Sequence, residues 1–175
     1  MKILLSITTI LSLPLSTLSN LSDPPSPANF TTLAAGAFHP IKNIATGKCI
    51  VPSSPVRDGA PLLTADCDNS LLQLWAPLSD GGRNYRFQNG ATQLCISLSR
   101  LETPLATQLM GCECCGQGTV SNAQWETSGK LPDVTTLRSR IGFKTSSICL
   151  DVVSGNVAAS AVCNGGLSQK WQVGF

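Results

Sequence analysis

Histidine is almost absent from this chain, which has one among 175 residues, and charged residues make up only 13%. A catalytic serine or cysteine usually needs a base positioned beside it, and no motif surrounds His39. Glu102, Glu113 and Glu126 lack a spacing that would bring two carboxylates together for glycoside hydrolysis. A glycine-rich phosphate loop is also missing. We therefore predict that the protein is not an enzyme and uses no cofactor.

Strong charge and long apolar runs are missing too. The formal net charge is +2, with no run of lysine or arginine, so the sequence has none of the electrostatic field typical of nucleic-acid binding. The apolar stretch that begins at Ile3 is interrupted by serine, threonine and Pro14, which makes it too short and too polar to span a bilayer. The sequence predicts neither a nucleic-acid partner nor a membrane span.

The first residues fit a different pattern. Lys2 precedes the apolar stretch and small residues follow it, which is the order of a secretory signal peptide. We place the signal peptide at residues 1–19, with cleavage near Ser19. Residues 20–38 are rich in proline and serine without periodic apolar positions, which indicates a linker. The linker contains two N-glycosylation sequons, Asn29-Phe30-Thr31 and Asn20-Leu21-Ser22, the second of which touches the cleavage point.

Cysteine, by contrast, is abundant, with eight in the chain. Disulfides persist in oxidising compartments and stabilise domains with modest cores. An even number permits complete pairing. Together with the signal peptide, the cysteines predict a secreted, extracellular protein whose globular part begins at His39.

Residues 39–175 lack helical periodicity. Short apolar stretches are separated by Gly, Pro, Asn and Asp about every ten residues, which is typical of all-β sandwiches and barrels. Segments such as Tyr85-Arg86-Phe87 and Ile148-Cys149-Leu150 are predicted strands, and in such strands alternate residues belong to the core. The sequence therefore predicts an all-β fold.

Three repeated units organise this region, each running from a cysteine to a tryptophan. The leading cysteines are 46 and 54 residues apart and the tryptophans 50 and 46 residues apart: Cys49, Cys95 and Cys149; Trp75, Trp125 and Trp171. Asn43-Ile44-Ala45-Thr46 before the first cysteine has a counterpart in Asn89-Gly90-Ala91-Thr92 before the second. We place the units at about 39–80, 81–130 and 131–175.

The end of each unit carries a further motif. Two units end in Q-x-W, as Gln73-Leu74-Trp75 and Gln169-Lys170-Trp171, whereas the middle unit departs, with Asn122-Ala123-Gln124-Trp125. With the paired cysteines, this pattern resembles the ricin B-chain type lectin repeat over about residues 40–175, nearly the whole mature chain. The resemblance implies a β-trefoil of three four-stranded units around a pseudo-threefold axis. It also implies structural roles for the motif residues, with the tryptophans in the core and the glutamines, including Gln124, tied to the backbone.

The same resemblance implies the cysteine pairing. One disulfide within each repeat would join Cys49 to Cys67 and Cys149 to Cys163, while Cys95 has three candidate partners, Cys112, Cys114 and Cys115, of which we favour Cys112. Cys114 and Cys115 remain, either as a vicinal bridge or for another chain. Zinc is the alternative for this cluster, but no second ligand pair lies at a suitable distance, so we predict no metal site.

Sugar-binding members of the family carry three residues per active unit: an Asp two positions after the first cysteine, an aromatic ring two before the second, and an Asn just before the Gln of Q-x-W. The first unit has Val51, Ala65 and Leu72 there, so the resemblance implies no site. The second has Ser97 and Met110 and keeps only the amide, Asn122.

The third unit is the most complete, because it keeps Asp151 but has Ala161 and Ser168 at the other two positions. The candidate carbohydrate-binding residues are therefore Asp151, Ser168 and Asn122. An alternative role for Asp151 is to cap a turn near Ser154 and Gly155.

The favoured function is that of a secreted, non-catalytic, lectin-like protein that recognises glycans or glycoproteins through largely degenerate sites. The alternative is a protein-binding trefoil, such as a toxin binding subunit or a protease-inhibitor-like effector. Its contacts would lie on the loops around Pro104 and Cys112–Cys115.

Overall fold

The computed structural model describes residues 38–55, 59–98, 107–110, 121–140 and 147–174. The predicted signal peptide and residues 20–37 of the predicted linker lie outside these ranges, as do Pro104, Cys112, Cys114 and Cys115. Within them, no helix is both long and apolar enough to cross a membrane.

Thirteen strands and three 3-10 turns form the regular structure of the described residues. The turns are Ser121–Ala123, Ser154–Asn156 and Leu167–Gln169. The strands are β1 His39–Asn43, β2 Cys49–Pro52, β3 Leu62–Ala65, β4 Leu74–Ser79, β5 Asn84–Asn89, β6 Cys95–Leu98, β7 Thr107–Met110, β8 Trp125–Thr127, β9 Val134–Thr135, β10 Leu137–Ser139, β11 Ile148–Val153, β12 Val157–Val162 and β13 Trp171–Val173.

The first and last strands of the three repeats close into a ring. β1 pairs with β4, β4 with β5, β5 with β8, and β8 with β10. β9 precedes β10 across Thr136 and pairs with β13, which returns to β1. Closure leaves this ring without an unpaired edge. The result is a barrel in which the first strand, β1, lies beside the last strand, β13.

The remaining strands form one antiparallel hairpin per repeat: β2 with β3, β6 with β7, and β11 with β12. β12 also pairs with β3, through Val157 opposite Leu63 and Ala158 opposite Leu62. A barrel with three hairpins related by a pseudo-threefold axis is a β-trefoil, so the fold predicted from the repeats is confirmed.

The three tryptophans lie in the core, fully buried among aliphatic residues from every repeat. Each indole N–H donates to the carbonyl of the residue that follows the leading cysteine of its repeat. Trp75 donates to Ile50 at 3.2 Å, Trp125 to Ile96 at 3.0 Å and Trp171 to Leu150 at 3.0 Å. The common spacing of cysteine and tryptophan in the sequence therefore reflects one contact made three times.

Disulfides join the hairpins to the turns that follow them. Cys49 is bonded to Cys67 and Cys149 to Cys163, with sequence separations of 18 and 14 residues. These are the pairs that the resemblance implies for the first and third repeats, and on the chain-entropy model each is worth roughly 3 kcal/mol. Cys95 is also disulfide-bonded, and its expected partner Cys112 lies outside the described residues.

Two buried asparagines connect successive repeats. The Asn43 amide donates to the carbonyls of Ser168 and Lys170, at 2.7 and 3.3 Å, in the last turn of the third repeat. Its carbonyl oxygen accepts from the Ala45 and Thr46 backbone N–H groups at 3.1 Å. A single side chain thus closes its own turn and holds the preceding repeat.

Asn89 makes the equivalent contacts, donating to Leu72 and Leu74 and accepting from Ala91 and Thr92. In strand register, Asn43 lies opposite Trp171 and Asn89 opposite Trp75, and the corresponding residue opposite Trp125 is Ser139. The asparagine motif shared by the first two repeats therefore joins each of them to the repeat that precedes it in the barrel.

Candidate functional site

Asp151 lies in the middle of β11, where side chains alternate between the core and the outer face. Leu150 points into the core and is fully buried, so Asp151 lies on the outer face with Cys149. On β12, the residues opposite are Ala161 beside Cys149 and Ala159 beside Asp151. Asp151 nevertheless keeps only 6% of its surface exposed.

Gln169 explains this low exposure. Its amide nitrogen donates to Asp151 Oδ2 at 2.8 Å and to the Val162 carbonyl at 2.9 Å. Its amide oxygen accepts from the Asn164 backbone N–H at 2.8 Å. All the hydrogen-bonding atoms of this side chain are engaged, so Gln169 holds the carboxylate in one orientation.

The second carboxylate oxygen of Asp151 has a different environment. Oδ1 is buried and has no hydrogen-bond partner among the described residues. A buried polar oxygen without a partner costs free energy, roughly 1–3 kcal/mol. Such groups are uncommon, and each calls for an explanation.

The turn-capping role for Asp151 is not what the structure shows. The turn between β11 and β12 consists of Ser154–Asn156, in which Gly155 and Asn156 have positive φ of 74° and 62°. Within the described residues, Asp151 bonds to Gln169 rather than to this turn. Glycine and asparagine tolerate this backbone conformation, so the turn forms without a side-chain cap.

The surface beside Asp151 is built from small residues. Ala159 and Ala161 are half-buried, and Ala161 stands where sugar-binding relatives of the resembled family carry a ring. Ser168 is the neighbour of Gln169 in the last turn, and its carbonyl is held by Asn43.

The first repeat has the same glutamine contacts but lacks the carboxylate. Gln73 donates to the Asp66 carbonyl at 2.8 Å and accepts from the Asp68 N–H at 2.9 Å, as Gln169 does in the third repeat. Val51 replaces Asp151. Nothing polar remains for a sugar hydroxyl at this position.

In the second repeat, both polar positions are buried. Asn122 keeps 2% of its surface exposed. The fully buried Ser97 hydroxyl donates to the backbone carbonyl of Asn122 at 3.2 Å. Both polar positions are therefore buried, and the carbohydrate-binding role of Asn122 stays a prediction.

Gln124 does not take the structural role of Gln73 and Gln169. It adjoins Trp125, and neighbouring residues in extended chain point to opposite sides. Because Trp125 points inward, Gln124 points outward and donates to Asp80 Oδ2 at 3.2 Å. Ala123, which packs against Cys95, occupies the position equivalent to the other two glutamines.

Sequence reasoning missed the contact between Gln169 and Asp151. Each residue was recognised, Gln169 as structural and Asp151 as a candidate ligand, but their hydrogen bond depends on the orientation of an amide across two strands. Within the described residues, no group of three His, Cys, Asp or Glu side chains is placed to hold a metal ion.

Comparison with known proteins identifies the fold and the family. Residues 37–171 match the model of the ricin-type β-trefoil lectin domain. A designed threefold-symmetric protein, ThreeFoil, superposes with a TM-score of 0.65 and 16% identity, covering 79% of this chain and 99% of that one. A search of curated protein sequences finds no match.

Two natural proteins show the same fold. The hemolysin/cytolysin β-trefoil lectin of Vibrio vulnificus, solved with N-acetyl-D-lactosamine bound, gives a TM-score of 0.60 at 15% identity over 79% of this chain and 94% of that one. An exo-β-1,3-galactanase from Clostridium thermocellum gives 0.61 at 17% identity over 79% of this chain, which spans 30% of that enzyme. Since the family model matches most of its length, this chain belongs to the ricin-type β-trefoil lectin family.

Proposed function

We propose that this protein is a secreted, non-catalytic lectin that binds a glycan through its third repeat. The observation that carries the proposal is the buried Oδ1 atom of Asp151, which has no hydrogen-bond partner among the described residues while Oδ2 is held by Gln169. Oδ1 is covered, so a sugar hydroxyl can donate to it, and satisfy it, only after the atoms over it move. A carboxylate already held in place loses little conformational freedom on binding.

The affinity of this site is expected to be low. Ala161 offers no ring face to the apolar side of a pyranose, so the contribution of stacking is lost. Ser168 has a single hydroxyl, whereas an asparagine amide both donates and accepts. We therefore propose a dissociation constant of about 1 mM for a single sugar, equivalent to about 4 kcal/mol.

The galactose-binding pattern of the family and the N-acetyl-D-lactosamine bound to the Vibrio relative suggest the probe. In isothermal titration with N-acetyl-D-lactosamine, we expect Asp151→Asn to weaken binding at least tenfold, about 1.4 kcal/mol, because the amide places a donor or a weaker acceptor toward the sugar.

Asp68→Asn is the matched control. Asp68 Oδ1 accepts from the Ser70 N–H in the first repeat, and Asn164 Oδ1 accepts from the Gly166 N–H in the third, so asparagine already serves at the equivalent position. This variant should bind as the wild type does. The proposal fails if no sugar binds at millimolar concentration, or if Asp151→Asn leaves the affinity unchanged.

Secretion is part of the proposal. The disulfides Cys49–Cys67 and Cys149–Cys163 are consistent with an oxidising, extracellular environment. The signal peptide at 1–19 and the linker at 20–38 rest on the sequence pattern. The alternative of a protein-binding trefoil rests on the loops around Pro104 and Cys112–Cys115, which lie outside the described residues.

A further inference from the structure

A second surface feature lies where the second and third repeats meet. It is a cleft of 440 Å³, and its lining does not include Asp151, Ser168 or Gln169. Four charged side chains line it: Arg83, Glu126, Arg138 and Lys170. The hydroxyl-bearing residues Thr136 and Ser147 also contribute. The cleft therefore carries charged and hydroxyl groups, and none of the proposed sugar-site residues lines it.

Positive charge dominates this cleft. Arg138 donates to Glu126 Oε2 from Nε at 3.1 Å, and Arg83 Nη2 lies 3.7 Å from Glu126 Oε1. The hydrogen bond from Arg138, aided by the charges of Arg138, Arg83 and Arg140, holds the pKa of the Glu126 carboxyl below its ordinary value. One carboxylate thus faces several guanidinium groups and cannot neutralise them all.

Both cleft arginines remain available to a ligand. The side chain of Arg83 is 56% exposed and that of Arg138 is 48% exposed. A guanidinium group has five N–H donors, and Glu126 occupies only part of them. Glu126 therefore positions the two arginines and leaves donors directed to solvent.

Lys170 adds a cation that no carboxylate in the described residues neutralises. Its backbone is fixed, because its carbonyl accepts from the Ile44 N–H at 2.9 Å. It lies between the buried Gln169 and Trp171, so alternation directs its side chain outward. No hydrogen bond or ion pair joins its ammonium group to the described part of the chain.

The trefoil symmetry provides an internal comparison. Arg138 lies between Glu126 and Cys149, its counterpart Lys42 lies between Gln172 and Cys49, and Gln88 lies between Ala76 and Cys95. The residue just before each tryptophan is Lys170, Leu74 or Gln124. Of the three junctions, only the one between the second and third repeats therefore has a cation at both of these positions. The other two junctions form without such a pair, so the fold itself does not require it.

We infer that this cleft binds the sulfate or carboxylate group of an acidic saccharide, through Arg83, Arg138 and Lys170. The saccharide part of the inference rests on the proposed function. Guanidinium groups match the geometry of sulfate and carboxylate oxygens, and such charge-assisted hydrogen bonds are stronger than neutral ones. A neutral sugar in the third repeat and an acidic group in the cleft are thus two separable contacts.

The test measures, by biolayer interferometry, how the protein binds three immobilised glycans. These are the neutral disaccharide N-acetyllactosamine, its sulfated form and a form extended by glucuronate. We expect an acidic form to bind about tenfold more tightly at low salt, and we expect this preference to shrink as salt rises toward about 0.5 M. Lys170→Gln and Arg138→Gln should abolish the preference. Lys170 has no ion pair in the described residues, so its replacement should leave the melting temperature unchanged.

Lys42→Gln is the matched control, since it removes the same charge at the position equivalent to Arg138. It should keep the preference, and so should Asp151→Asn. An acidic preference that disappears in Lys42→Gln but survives in Lys170→Gln and Arg138→Gln would overturn the cleft assignment.

The remaining outcomes separate the two proposals. Equal binding of neutral and acidic forms would remove the cleft and leave the proposed function standing. Binding of acidic forms alone, lost in Lys170→Gln and unaffected by Asp151→Asn, would support the cleft and remove the Asp151 site. Failure of all three glycans to bind would overturn both.

Discussion

Replacement of Trp171 by alanine is expected to lower the free energy of unfolding by about 4 kcal/mol, because it leaves a cavity the size of an indole in a closed core. Trp171 is fully buried, and its N–H donates to the Leu150 carbonyl. Urea unfolding followed by the fluorescence of Trp75 and Trp125 measures the change. Domains of this size are usually stable by only about 5–15 kcal/mol, so the variant should lose a large share of its stability.

Trp171→Phe separates packing from hydrogen bonding. Phenylalanine keeps most of the apolar volume but removes the donor to Leu150, and we expect about 2 kcal/mol of destabilisation. If both variants lose less than about 1 kcal/mol, Trp171 is not part of the core as described. Such a result would reopen the tryptophans as sugar-binding surfaces.

Asn43→Ala is expected to destabilise the protein by about 3 kcal/mol. It removes the donor to the Ser168 and Lys170 carbonyls and the acceptor for the Ala45 and Thr46 N–H groups. Asn43 is fully buried, so water does not readily replace these bonds. Thermal and urea unfolding report the loss.

Asn89→Ala should behave in the same way, since Asn89 makes the same contacts one repeat later. Asn84→Ala is the control: the Asn84 amide makes one exposed hydrogen bond, to the Gly81 carbonyl at 3.1 Å. We expect a cost below about 1 kcal/mol there. Similar costs for Asn43 and Asn84 would contradict a joining role for the buried asparagines.

The fold was predictable from the sequence because the repeated residues are the ones that build it. The constant spacing of Cys49, Trp75 and their counterparts records an indole that reaches the carbonyl next to the cysteine in every repeat. Two cysteine pairs follow the same spacing. Patterns of this kind survive sequence divergence because a closed core tolerates few alternatives.

The site was less predictable, for geometric reasons. The position of Asp151 after Cys149 was visible, but the engagement of Oδ2 by Gln169 and the unsatisfied Oδ1 follow from amide orientation in the folded protein. The shift of Gln124 by one residue reverses the side to which it points, which the motif alone did not reveal. Distance in sequence concealed the basic cleft, since Arg83 and Lys170 line the same cleft only in the folded barrel.

The most direct test of the central claim is a crystal structure of the protein with N-acetyl-D-lactosamine at a concentration well above 1 mM. Our account predicts a sugar hydroxyl within hydrogen-bond distance of Asp151 Oδ1, with the contact between Gln169 and Oδ2 unchanged. A sugar bound elsewhere, with Oδ1 still lacking a partner, would contradict it.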